Sequence, residues 1–393
     1  MNDEHLNRIR ADLGAVAAVA YLNTGTAGPF PQAAQQTLLD EAQHNFEQGR
    51  GDILGFERVI QTLDGLRAAF ARLVNADADE IALTHHTTDG MNIVCWGLNW
   101  QPGDELLTTM LEHEGGLLPA YVVAQRFGVD VRVVDLGLGN DRAAVLAALD
   151  EAITPRTRLL SLSHVSWSSG ALLPLDEIVA LAHRRGVLVL VDGAQSVGAV
   201  PLDLHASGVD FYAMPGQKWL CGPEGIGALY VRWDRLSLVK PTFVGVFSLR
   251  DPESYTLNGD FLYAPSARRY ETSSIFRPGA AAMLASLNWL EETVGWEWAF
   301  DRIQRLANRA RDLLRKLPGA TILTTADHAG LVAFTIDGLD PTTIAGTLRE
   351  RNIVLRTIPV ANGYVLRVST GFYNTEEELV LLRDTLAEII KQG

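Results

Sequence analysis

Val187-Leu-Val-Leu-Val-Asp-Gly-Ala-Gln-Ser-Val-Gly-Ala-Val-Pro201 decides the fold. Residues 187 to 191 are uniformly apolar, with no polar alternation, and stop at the turn signal Asp192-Gly193. A short, β-branched, wholly apolar run fits a strand buried on both faces, as in a parallel sheet. In open α/β sheets, ligands sit beyond the carboxyl ends of the strands, and Asp192 stands at that place. An Asp-Gly pair also starts many ordinary turns. A second residue is needed to choose.

Working outward, strands and helices alternate. Strands are expected at 80–84, 105–108, 129–135, 158–163, 211–213 and 227–231, with helices at 88–96, through 124, and at 175–185. This alternation implies βαβ units and a mostly parallel sheet. Towards the N-terminus, residues 1–20 read as a short helical segment. A Gly/Thr loop follows at 21–29, then helix over 32–76 with a Gly-rich break at 48–55. After residue 240 a Pro-, Gly- and aromatic-rich segment runs to about 280. A long helical stretch with Leu284, Leu287 and Leu290 comes next, then strand, helix, strand, helix. Thr375-Glu-Glu-Glu378 opens the last helix as a capping box. The expected organisation is an N-terminal segment (1–20), a large α/β domain (21–250) and a smaller α+β domain (251–393).

The chain has 393 residues, 47% of them hydrophobic, with a net charge of −14. That acidity argues against nucleic acid or an anionic membrane as partner, because both require a basic face. Two cysteines, Cys95 and Cys221, do not make a disulfide framework, and a reducing cytoplasm is the expected compartment. The apolar run 15–22 is too short to span a bilayer.

The second residue is Lys218, in Phe211-Tyr-Ala-Met-Pro-Gly-Gln-Lys-Trp-Leu-Cys-Gly-Pro223, one strand after Asp192 and at the same sheet edge. A lone loop lysine is ordinarily solvated. A lysine paired with a strand-end acid is what a pyridoxal phosphate enzyme needs: the lysine tethers the aldehyde and moves the Cα proton, and the carboxylate keeps the pyridine nitrogen protonated.

Asp192-Gly-Ala-Gln-Ser196, Gly216-Gln-Lys-Trp-Leu-Cys-Gly-Pro223 and Gly371-Phe-Tyr-Asn-Thr375 occur in order along the chain. With these motifs the sequence resembles the class V branch of fold-type-I pyridoxal phosphate enzymes, which holds aminotransferases, cysteine desulfurases, epimerases and C–S lyases. Within it, Asn92 to Trp100, Glu112-His113, Ser163 to Trp167 with Leu173-Pro174, and Leu355 to Ile358 are similar to the cysteine/cystine C–S lyases. The resemblance implies pyridoxal 5'-phosphate as cofactor, an amino-acid substrate and a homodimer with a composite active site.

It also implies roles. Lys218 is the catalytic lysine. Asp192 faces the pyridine nitrogen, Gln195 the phenolic oxygen, and His113 stacks on the ring. Thr88 and Asp89, in Thr87-Thr88-Asp89-Gly90 at the start of a helix, hold the phosphate, since a helix N-terminus suits that anion, and Gln217 binds the cofactor at the ring side. Ser274, after Ser273, reaches the phosphate from the partner subunit. Arg367 forks onto the substrate carboxylate, with Arg356 second and Trp167 beside it. This chain departs from the family at Pro215 (usually Ser or Thr), Gln217 (usually His) and Ser168 (Asn in the lyases). The first removes a hydroxyl donor from the phosphate, the second replaces a ring-side imidazole by an amide, and the third bears on the choice of substrate.

Desulfurases of the persulfide-forming kind need a nucleophilic cysteine near the substrate, and no cysteine follows Cys221. The expected reaction is therefore β-elimination on cysteine, cystine or a related sulfur amino acid, giving pyruvate, ammonia and a sulfur species. An aminotransferase or epimerase acting on another amino acid uses the same first proton abstraction. A silent cofactor-binding scaffold is the non-enzymatic alternative. It has no use for Lys218, Asp192, Gln195 and Arg367 together.

Overall fold

Leu188–Asp192 lies inside a seven-stranded sheet, with its carboxyl end at Asp192. The computed structural model describes residues 4–51, 53–251, 253–324, 326–360 and 363–392. In chain order the strands are β1 (Ala20–Tyr21), β2 (Ile81–Thr84), β3 (Glu105–Thr109), β4 (Asp130–Val134), β5 (Thr157–Ser163), β6 (Leu188–Asp192) and β7 (Phe211–Pro215). They continue with β8 (Gly227–Val231), β9 (Ala320–Ile322), β10 (Leu331–Ile336), β11 (Ile353–Val354), β12 (Arg356–Val360) and β13 (Gly363–Ser369).

The large sheet runs β2-β8-β7-β6-β5-β3-β4, and its pairs from β7 to β4 are parallel. Only β8 runs against its neighbours, β2 and β7. The apolar strands are apolar for the reason read from β6: helices cover both faces of a parallel sheet. Asp192 is the last residue of β6 rather than the first beyond it, and pairs in register with Ser163 of β5 and Ala213 of β7. Gly193 follows because nothing larger fits: a Cβ there would stand 2.2 Å from Tyr212 Cε1.

The second sheet is antiparallel, in the order β12-β13-β10-β9. The N-terminal segment is two short helices, Glu4–Ala11 and Gly14–Ala18, leading into β1. β1 pairs in parallel with β11, so the start of the chain is stitched to its C-terminal half. Residues 1–3 lie outside the described residues. Helix Arg277–Trp289 follows the boundary read at about 250, yet it packs on helices Gln32–Gln48 and Ile53–Val74. One apolar cluster joins Trp219, Met283, Leu331 and Phe372, so the lysine loop is gripped from both sides. Helix Arg142–Ala152 was not read from sequence; Asp141 caps it by accepting from Ala144 N–H at 3.0 Å.

The segment after 240 is held from below. Arg67 donates from Nε and Nη2 to both oxygens of Glu271, at 2.8 and 2.6 Å, and Leu83 N–H donates to the same carboxylate at 3.0 Å. Both side chains are buried. Removing Glu271 leaves the buried Arg67 with only the exposed Asp64, at 2.6 Å, among the described residues, and the Leu83 N–H without its acceptor, so Glu271→Ala should cost about 3 kcal/mol. Urea unfolding should record it as a lower midpoint with an unchanged slope. No helix among the described residues is long and apolar enough to cross a membrane.

Candidate active site

A cavity of about 460 Å³ opens at the carboxyl edge of β6 and β7, roofed by the second sheet. Lys218, Asp192, Gln195, Gln217, His113, Thr88, Trp167, Arg356 and Arg367 all line it. The strand ends set its floor. Asp192 is buried, and its Oδ1 accepts from Ala194 N–H at 2.8 Å. Burial pushes its carboxyl up, while Lys218, the Ala194 N–H and His113 pull it back. Gln195 is locked by both ends of its amide: Oε1 accepts from Trp219 Nε1 at 3.0 Å, and Nε2 donates to Gly25 O at 2.8 Å. One amide hydrogen remains to face the cavity.

Lys218 follows β7 on a loop closed by Gly222 N–H donating to Gly216 O at 2.9 Å. Burial pushes its ammonium down to about 8; Asp192 opposes this and the two arginines add to it. An amine that sheds its proton near neutrality is a usable base and nucleophile. The free amine attacks an aldehyde, so recombination of the apoprotein with pyridoxal phosphate should speed up with pH and level off above about 8. Stopped-flow absorbance checks this.

Helix Thr87–Gly97 points its N-terminus at the cavity. Its cap is His86, whose Nδ1 accepts from Asp89 N–H at 3.2 Å, rather than Thr88 or Asp89. Asp89 does not line the cavity. Its Oδ2 accepts from His85 N–H at 3.0 Å and contacts His85 Nδ1 at 2.7 Å, because the turn before the helix needs a carboxylate there. Thr87 Oγ1 is buried without a partner, and His86 and Thr26 also line the cavity. Sequence reading placed neither His86 nor Thr26 in the site, and singled out Thr88 and Asp89 rather than Thr87 from the helix start.

His113 caps helix Glu114–Phe127, its Nδ1 accepting from Gly115 N–H at 3.1 Å. Its ring meets Trp167 edge-on at 4.8 Å between centroids. Burial lowers its pKa, which favours the neutral ring. Arg367 and Arg356 are register partners on β13 and β12. Arg367 is 1% exposed, donates from Nη1 to Trp167 O at 2.8 Å, and keeps Nε without a partner. Exposed Arg356 donates to Thr26 Oγ1 at 3.1 Å. Ser274 lies elsewhere in its own chain, in a smaller pocket with Ser273, Leu83 and Phe247.

Residues 20–382 match the family described as aminotransferase class V. The chain belongs to the class V aminotransferase family. Among its relatives, the cysteine desulfurase of Serratia proteamaculans is 31% identical over 406 residues, covering 98% of each chain. The isopenicillin N epimerase of Streptomyces clavuligerus is 33% identical over 379 residues, covering 94% of each. The solved cystine C-S lyase C-DES, in complex with its reaction product cysteine persulfide, superposes with a TM-score of 0.90. It is 35% identical over 96% of this chain and 99% of that one. This class V enzyme uses pyridoxal phosphate, and its pocket fits that cofactor. It offers an amine, a buried carboxylate and a helix N-terminus in one cavity, with Thr87 Oγ1 and Gln217 Oε1 buried there and unpartnered. The departure at 217 leaves an amide whose nitrogen can donate to a phosphate without adding charge.

Proposed function

We propose that the chain is a carbon–sulfur lyase that carries out β-elimination on cysteine, cystine or a related sulfur amino acid, releasing pyruvate, ammonia and a sulfur species. The observation that carries this reading is the state of its thiols. Cys95 and Cys221 are both fully buried, and neither lines the cavity. Burial raises both thiols, Cys95 to about 12, so neither supplies a thiolate. A persulfide-forming desulfurase needs one at the substrate; elimination does not.

The roles follow from the chemistry of each group. Arg367 holds the substrate α-carboxylate in a dry site. Lys218 would hold the cofactor aldehyde, and its Nζ would take the Cα proton of the bound substrate. With pyridoxal phosphate bound, Asp192 would hold the pyridine nitrogen, Gln195 the phenolic oxygen and His113 the ring face. Thr88, Gln217 and the helix start hold the phosphate. Pyridoxal phosphate, when bound, supplies the sink for the electron pair left at Cα. The sulfur group then leaves Cβ, and the released aminoacrylate hydrolyses to pyruvate and ammonia.

The protein is proposed to work as a homodimer in which the partner's copy of Ser274 completes the phosphate site. Supporting this, the segment around Ser274 exposes Phe243 (74%), Leu257 (98%) and Phe276 (59%), apolar surface that a second subunit would cover.

The test is to incubate holoenzyme with L-cystine and follow pyruvate with no keto acid present. Pyruvate should form, and Cys95→Ala and Cys221→Ala should keep that activity. An epimerase is the second reading, favoured by the 33% identity to isopenicillin N epimerase. It would instead exchange the Cα proton of an amino acid with solvent deuterium and form no pyruvate.

A further inference from the structure

Behind Asp192 lies another acid. Glu112 is 8% exposed, and its carboxylate accepts from Thr109 Oγ1 at 2.6 Å and Ser163 Oγ at 2.7 Å. Thr109 ends β3 and Ser163 ends β5, and Ser163 is the register partner of Asp192. Gly116 stands between the two acids: a Cβ there would lie 3.4 Å from Asp192 Oδ2 and 3.8 Å from Glu112 Oε2. Among the described residues, no cation pairs with Glu112. A buried carboxyl held by two hydroxyls and the backbone of Ser163, with no cation, beside the carboxylate of the pocket floor, is expensive to keep.

We propose that Glu112 is a positioning residue that acts through Asp192, as a second carboxylate adding negative field at the place assigned to the pyridine nitrogen. It rests on the role given to Asp192 above. With the cofactor bound, the negative field of Glu112 would help Asp192 keep the pyridine nitrogen protonated, the form in which the ring withdraws electrons from Cα.

The charged groups around it are few. Asp192 of β6 acts on Glu112 directly, while Lys218 and His113 act on Asp192. The neighbours from β3, β5 and the two helices, Thr109, Ser163, Met91 and Gly116, carry no charge. Burial pushes Glu112 up to about 7, the two hydroxyls pull it down, and Asp192 pushes it further up. Above that pH the second charge is present. As pH falls through it, Glu112 takes a proton and the added field is lost.

The experiment is a pH titration of the holoenzyme's visible absorption across neutrality, in wild type, Glu112→Gln, Ser163→Ala and Asp192→Asn. Wild type should show an inflection near pH 7. Glu112→Gln, which keeps one oxygen acceptor and offers an amide N–H that the other hydroxyl can accept, should lose it. Ser163→Ala should move it to higher pH, because that hydroxyl favours the ionised acid. Glu112→Gln should also lower kcat about three- to tenfold with KM unchanged. Superimposed titrations of wild type and Glu112→Gln, with Asp192→Asn altered, would overturn the proposal and leave Asp192 its role. If Asp192→Asn also superimposes, the role of Asp192 falls and that of Glu112 with it.

Discussion

Lys218→Ala should reduce pyruvate release from L-cystine by more than about 10⁴-fold. Two losses combine. The amine that takes the Cα proton is gone, and general base catalysis contributes roughly 10² to 10⁴. The positioned attachment point for the cofactor is also gone, and with it the orientation that makes the proton transfer intramolecular. The variant should remain folded. Trp219 and Leu220 pack the loop, and the aliphatic stem of Lys218 carries little of the core. Removing a half-desolvated ammonium relieves a cost rather than adding one. Circular dichroism should match wild type while the pyruvate assay stays at background. Undiminished elimination in this variant would remove Lys218 from the mechanism.

The large sheet was legible because its signal is local. Val187 to Val191 is apolar on both faces, and only a sheet covered by helices asks for that. The same local signal marked β3, β5, β7 and β8 to within a residue or two. Asp192 and Lys218 were legible because each lies at a strand end beside glycines, where chain direction alone aims the residue at one edge. What escaped depends on contacts across long separations. β1 pairs with β11 more than 300 residues later, and nothing in Ala20-Tyr21 carries that partner's address. Helix Arg277–Trp289 was read as part of the C-terminal domain, but Pro278, Gly279, Ala280 and Ala282 are small enough to sit against two N-terminal helices.

At the site, Asp89 stands outside the cavity for a local reason. Asp and Thr suit both a helix cap and an anion site, yet His86 caps this helix through a ring nitrogen and Asp89 turns to His85. Glu112 was quoted only as a likeness to the lyases. Its burial beside Asp192 arises from Ser163, which approaches from another strand. A carboxyl surrounded by Leu111, Thr109 and Ser163 has no periodic signature to find.

Arg367→Met should separate binding from stability. Arg367 is a cation with 1% exposure, a single donated hydrogen bond from Nη1, an unpartnered Nε and no ion pair among the described residues. Gly25 makes the space for it: a Cβ there would stand 3.0 Å from Nη2. Burial, then Arg356, pushes its pKa down to about 9. A cation whose folded pKa is depressed destabilises the fold at every pH below that value, and the cost is relieved only as pH rises through it. At neutral pH the empty site therefore carries the full cost, which a bound carboxylate would remove. Methionine, of similar length and uncharged, should leave the melting temperature equal or higher while kcat/KM for L-cystine falls about 10²- to 10³-fold. L-Cystine should raise the melting temperature of the wild type, because it binds the folded state alone, and should leave Arg367→Met unmoved. A variant that melted lower and kept its affinity would make Arg367 a structural residue and move the carboxylate site to Arg356.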